Sequence, residues 1–275
     1  MLRFAGIPIR SLDKPYTFRY RTLLFLAWMS IRKWDPLISM HKLKFNEAAS
    51  KFLFILICGD VFYFLLHIVY LNGFLNSRFN LEKDWSLPES YQYLKFLWCF
   101  ILLVFIALRK ESRLYLCWLP LFAFLLADDG LRIHEQIGGM VSSSGLEFQP
   151  PLGLRRQDIG ELIGSAAFGL PLLLLPVYGF FRADSKVRGE FLGITLLILI
   201  LAFFGIVVDM VHQIVPKDFR EQLAFIEDGG EMLSASLMLG YIFFLEMCRP
   251  GEQFNFFYFC RTFPAKFALA FRGKR

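Results

Sequence analysis

The sequence predicts an all-α protein: a polytopic six-helix transmembrane bundle with amphipathic interfacial segments at both termini. Three observations lead there. The 275 residues are 56% hydrophobic and 17% aromatic, with a mean hydropathy of +0.49, above the roughly 45–50% apolar content usual in a soluble domain. The excess is gathered into long runs, of which 191–208 carries no charge at all. These runs are continuously apolar instead of alternating, which excludes a membrane β-barrel. Together they exclude an ordinary soluble enzyme, a disordered chain and a disulfide-stapled secreted domain.

A helix needs about 20 apolar residues to cross the hydrocarbon core. Six segments come near that length: roughly 51–75, 91–109, 114–135, 160–181, 190–211 and 229–248. The domain layout is then a cytoplasmic basic and aromatic segment over 1–50, the bundle over 51–248, and a cytoplasmic basic and aromatic tail over 249–275. The first apolar stretch, 23–30, is too short for a signal peptide and no small-x-small site follows it, so the span at 51–75 is expected to act as the signal anchor.

Charge orients the bundle. With the N-terminus inside, the inner segments 1–51, 109–113, 182–188 and 249–275 hold 22 of the 30 lysines and arginines. The other eight are Arg78, Lys83, Lys95, Arg132, Arg155, Arg156, Lys217 and Arg220. By the positive-inside rule both termini are cytoplasmic and the protein is multi-pass in the cell inner (plasma) membrane. The formal charge of +6 is therefore read as a topology signal. Nucleic acid is not an expected partner, because the basic residues are divided among short flanks.

The terminal segments alternate aromatic rings with basic heads, as in Tyr16, Phe18, Arg19, Trp28, Arg32 and Trp34. That mixture suits the headgroup layer of an anionic inner leaflet. A protein partner docked on these tails is the other expectation. Cys58, Cys99, Cys117, Cys248 and Cys260 show no CxxC or CxxH spacing, so spectator thiols are expected. The outer loop 138–157, rich in Gly, Ser and Pro, reads as irregular. Gly160-x3-Gly164 and Ser165-x3-Gly169 make a small-residue face on the fourth span, which points to close packing.

The polar residues become informative when position is converted to height, at about 1.5 Å per residue. Asp128 and Asp129 come at roughly 22 and 24 Å from the inner end of their span, and His134 at roughly 31 Å. Asp209 and His212 come at roughly 28 and 33 Å, Glu231 and Glu227 at roughly 26 and 31 Å, and His67 at roughly 24 Å. With Glu161, which opens the fourth span at about the same level, five spans bring acids and imidazoles to one layer near the outer boundary. Facing lipid is the costly option for them, at about 2.5–3.5 kcal/mol per acid at the helix centre.

A continuous helix would put Asp128 and Glu135 on one face, Asp209 and His212 at i,i+3, and Glu227 and Glu231 at i,i+4. Carboxylates and imidazoles projecting inward from bundle helices build carboxylate-rich metal sites. Asp128, Asp129, His134, Glu135, Asp209, His212, Glu227 and Glu231 are therefore the candidate ligands of a divalent metal, with Zn, Mn or Fe the metals this ligand chemistry suits. An inert interfacial network, with Asp128 paired to Arg132, is the competing reading.

Asp60 stands apart, at roughly 14 Å and close to the bilayer midplane. One reading joins Asp60 and His67 as a proton or cation path toward the outer face. The other is a protonated Asp60 hydrogen-bonded to Tyr63, Thr195 or Ser236.

The stretch Asp128-Asp129-Gly130-Leu131-Arg132-Ile133-His134-Glu135 resembles a motif of uncharacterised bacterial multi-pass membrane proteins: an Asp, an acidic residue, four variable residues, then His-Glu. Glu227-Asp228-Gly229-Gly230-Glu231 resembles the acidic start of their last helix. The resemblance implies the span layout and carries no activity. The sequence thus points to a carboxylate and histidine site in the outer leaflet that binds a divalent metal, with hydrolysis as the chemistry such a site supports. A proton- or cation-coupled transporter and a structural subunit of a membrane complex are the alternatives.

Overall fold

The computed structural model describes residues 47–109, 113–145 and 148–248. Most of segment 1–50, the tail 249–275 and Cys260 lie outside the described residues, and with them the interfacial and partner-docking expectations.

The first span is α1, Glu47–Leu71. The second, α2, covers Leu87–Arg109 and starts four residues earlier than expected. Its start is a capping arrangement: Glu89 N–H donates to Ser86 Oγ at 3.3 Å, and Trp85 N–H donates to the Glu89 carboxylate. Each partner satisfies a backbone group that the first helical turn leaves unpaired.

The third span is a 3-10 turn, Arg113–Trp118, running into α3, Leu119–Leu131. It stops before position 135. Arg132 adopts a left-handed conformation (φ 54°, ψ 46°) and a separate helix, α4, follows over Ile133–Ser143. Part of the segment expected to be irregular, 138–157, is therefore helical. The small-residue face explains why α4 forms. A Cβ on Gly160 would lie 2.7 Å from Gly138 Cα and 2.8 Å from Val141 Cβ, so only glycine lets α4 lie against the next helix. That helix is α5, Arg156–Arg182. Gly164 meets Ile137 in the same way, whereas Gly169 faces open space.

The fifth span comprises α6 (Ser185–Ala202), a π-helical segment (Phe203–Val208) and α7 (Asp209–Ile214). Asp184 caps α6 by accepting Val187 N–H at 2.8 Å. The sixth, α8, is Arg220–Met247 and begins well before residue 229. It packs against α1, α2, α6, α7 and the π segment. Of its most apolar stretch 61% is buried, against 17% for α5, so α8 is the hub of the bundle and α5 a largely exposed helix.

No strand occurs among the described residues, and six helical stretches are long and apolar enough to cross a membrane. The core lies around Leu53, Cys99, Trp118, Phe191, Met238 and Tyr241, all under 2% exposed. Its lower boundary is polar: Tyr115 donates to the buried Glu190 carboxylate, and Arg109 reaches Glu246 at 3.0 Å. Cys58, Cys99 and Cys117 are free thiols.

Candidate metal centre

At the opposite end of the bundle, three expected ligands come together. Asp209, His212 and Glu227 each offer a ligand atom, and these atoms lie within 4.8 Å of one another. His212 Nδ1 sits 2.8 Å from Glu227 Oε2. Gln213 Nε2 donates to Asp209 Oδ1 at 3.2 Å and so steadies the second carboxylate. All three side chains are half-buried.

The π segment sets this geometry. A π turn carries an extra residue relative to an α turn, and one residue is about 100° of helical rotation. It therefore fixes which way Asp209 and His212 project. Two glycines let the segment approach α8: Gly205 lies against the Glu231 carboxylate, and Gly230 against the Phe204 ring. A Cβ at either would collide with the other helix.

The remaining acids form a ring around this centre without sharing its point. Asp128, 8% exposed, clasps His134: its Oδ1 accepts His134 N–H at 2.9 Å and its Oδ2 lies 3.2 Å from His134 Nδ1. Burial disfavours a charge on His134, but the Asp128 hydrogen bond and the charges of Asp128, Glu135 and Asp129 outweigh it and push its pKa up to about 9. Asp129 lies within electrostatic reach of Glu231, Asp128, His134 and Glu89, and its carbonyl accepts Tyr93 O–H at 3.1 Å. Glu231 accepts Gln92 Nε2–H at 3.1 Å. Glu161 and Asp158 reach Asp209 electrostatically. Burial raises the Glu82 carboxyl, with His212 opposing and Glu221 adding to the shift.

Two sequence expectations are corrected here. Asp128 and Glu135 do not share a helix face, because the chain turns at Arg132 between them. Asp128 does not pair with Arg132 either: Arg132 bonds Glu135, with Nε donating to Oε1 at 2.8 Å, and reaches Asp84 at 3.0 Å. Glu135 is thereby directed away from the triad, into an ion pair at the rim.

Asp60 lies deeper, and His67 sits near the end of α1 that meets the 72–86 connection. Asp60 pairs with Lys95 at 2.5 Å, and both are fully buried. Thr195, an expected partner of Asp60, instead donates to Phe191 O at 2.9 Å. His67 accepts Leu81 N–H on Nδ1 at 3.1 Å, which ties the 72–86 connection to α1.

Lys95 is the principal residue that sequence reasoning missed, having been assigned to the outer flank. The signal was present: Ser86-x-x-Glu89 with Pro88 marks the helix start, and eight residues further Lys95 is about 12 Å deep. Glu89, Gln92, Tyr93 and Asp158 were also missed.

No curated protein and no solved structure matches this chain. One family matches, over residues 85–245, from the start of α2 to the last turns of α8. That stretch contains Lys95, the Asp128–His134 clasp and the whole Asp209–His212–Glu227 triad, and exceeds half of the chain. On that match, this six-span helical bundle belongs to the family described as Domain of unknown function (DUF8692).

Proposed function

We propose that the acidic end of the bundle is a divalent-metal site in the outer leaflet of the cell inner membrane, with Asp209, His212 and Glu227 as the ligands. The reading rests on one observation: two carboxylates and an imidazole from two helices converge within 4.8 Å. Oxygen and nitrogen donors of this kind suit Zn, Mn or Fe. Three protein ligands leave coordination positions free, as catalytic sites do and closed structural sites do not. When bound, such a metal lowers the pKa of a coordinated water and polarises an ester or phosphoryl oxygen.

The chain's own residues would do the rest. Gln213 orients Asp209, and the π segment aims Asp209 and His212 at Glu227. His134, charged at neutral pH and held by Asp128, is placed at the rim where it can hand a proton to a leaving group. Hydrolysis of a lipid-borne ester or phosphoester is the chemistry this combination supports.

The test is metal content. Protein extracted in mild detergent should carry Zn, Mn or Fe at near one ion per chain, or take it up on titration. Asp209→Asn, His212→Ala and Glu227→Gln should each abolish binding while the melting profile stays cooperative. Wild-type protein that neither retains nor takes up any of the three metals overturns the proposal.

A further inference from the structure

The Lys95–Asp60 pair is a second cluster of buried polar groups, separate from the triad and contributed by three helices. Asp60 is on α1, Lys95 and Tyr91 on α2, and Met232 and Ser236 on α8. Lys95 Nζ donates to Asp60 Oδ1 at 2.5 Å and to Met232 O at 2.9 Å, and lies 4.2 Å from the centroid of the Tyr91 ring. The ammonium therefore has three anchors, only one of which is Asp60. The carboxylate is less complete. Asp60 Oδ2 is buried with no hydrogen-bond partner, and so is Ser236 Oγ, on a residue that lies beside Asp60. Leaving a buried polar atom unpaired is costly, and here two such atoms are neighbours.

A hydroxyl both donates and accepts. Ser236 can therefore serve a carboxylate Oδ2 as donor or a protonated Oδ2 as acceptor. We propose that Asp60 is a proton-exchange site in the bundle interior, with Lys95 as its fixed counter-charge and Ser236 as its hydrogen-bond partner. On uptake, the proton bonds to a lone pair of Oδ2, the new O–H donates to Ser236 Oγ, and no other covalent bond changes. The net charge of the cluster rises by one and stays on Lys95, which keeps Met232 O and the Tyr91 ring. The ammonium is the group that stays charged, because it keeps Met232 O and the Tyr91 ring when Asp60 is neutral, whereas a carboxylate beside a neutral Lys95 would keep neither.

The other ionisable groups around Asp60 are Tyr63 on its own helix and Tyr91 and Cys99 on α2. On α8 the ionisable residue next to Met232 is Glu231, whose carboxylate is engaged by Gln92, one turn from Lys95. The inference is independent of the metal reading, since none of these groups belongs to the Asp209–His212–Glu227 triad.

Infrared difference spectroscopy on the full chain in lipid nanodiscs, titrated with pH, tests it. The wild type should show a reversible carboxylic-acid C=O band that disappears in Asp60→Asn and moves in frequency in Ser236→Ala, while the bands of the outer carboxylates persist. If Asp60→Asn fails to fold, the Asp60→Asn/Lys95→Met double variant, which removes both charges, must lack the band. A wild-type difference spectrum identical to that of either Asp60 variant overturns the proposal, and an unmoved band in Ser236→Ala overturns Ser236 as the partner.

Discussion

His134 is held by both oxygens of Asp128, one on its backbone N–H and one on its ring. This is why a histidine at the wet end of a bundle stays charged near pH 7. Its pKa is raised from the ordinary 6.5 to about 9, so the stabilisation is full below pH 6.5 and is lost as pH rises through 9. The clasp is partly exposed, which limits its contribution to about 1 kcal/mol. Thermal melts of the wild type should therefore drop between pH 7 and pH 10, and His134→Gln should flatten the curve in that window. Lys95 is the opposite case, a fully buried charge. Lys95→Met alone leaves Asp60 uncompensated and should cost about 3–5 kcal/mol. Adding Asp60→Asn should recover most of that loss, read as the melting midpoint in detergent. Equal destabilisation of the single and double variants would mean that the pair is not the source of the cost.

At the scale of elements, two irregularities create the site. The left-handed turn at Arg132 ends α3 and lets Asp128 reach forward to His134 instead of continuing along a helix to Glu135. The π segment rotates the end of the fifth span so that Asp209 and His212 meet Glu227. Deleting one residue from 203–208 should restore α-helical register, swing both ligands by about 100°, and weaken metal binding at least about tenfold, with the helical circular dichroism preserved. Gly205→Ala should weaken it for another reason, since its methyl group collides with the Glu231 carboxylate. Unchanged metal titrations in both variants would show that the π segment does not position the ligands. Neither irregularity was legible in the sequence. Arg132 is a poor left-handed residue on propensity, and the apolar run 191–208 carries no mark that distinguishes π from α. The start of α2 was legible, because Ser86, Pro88 and Glu89 form a local signature.

Across the whole molecule, α8 is the axis on which α1, α2, α6 and α7 are assembled, and most acidic side chains of the described residues collect at one end of that assembly. The orientation proposed from the charge pattern puts this end outside, and labelling tests it. A membrane-impermeant maleimide added to intact cells should label Ser144→Cys in the α4 region and spare Ser185→Cys at the start of α6, with labelling above the wild-type thiol background as the readout. The reverse pattern would invert the bundle and place the Asp209–His212–Glu227 cluster on the cytoplasmic side.

Hydropathy sums along the chain, residue by residue, so the sequence alone determined the six apolar helices. It also determined the layer at which the polar residues fall, because height along a helix is a matter of counting. What it left undetermined was rotation about each helix axis. Rotation decides whether acids at the same height meet or turn apart, and it is set by contacts between helices: glycine at 160 against α4, glycines at 205 and 230 between the π segment and α8. For that reason only the tertiary structure brought Asp209, His212 and Glu227 together, sent Glu135 to Arg132, and brought Lys95 inward to Asp60.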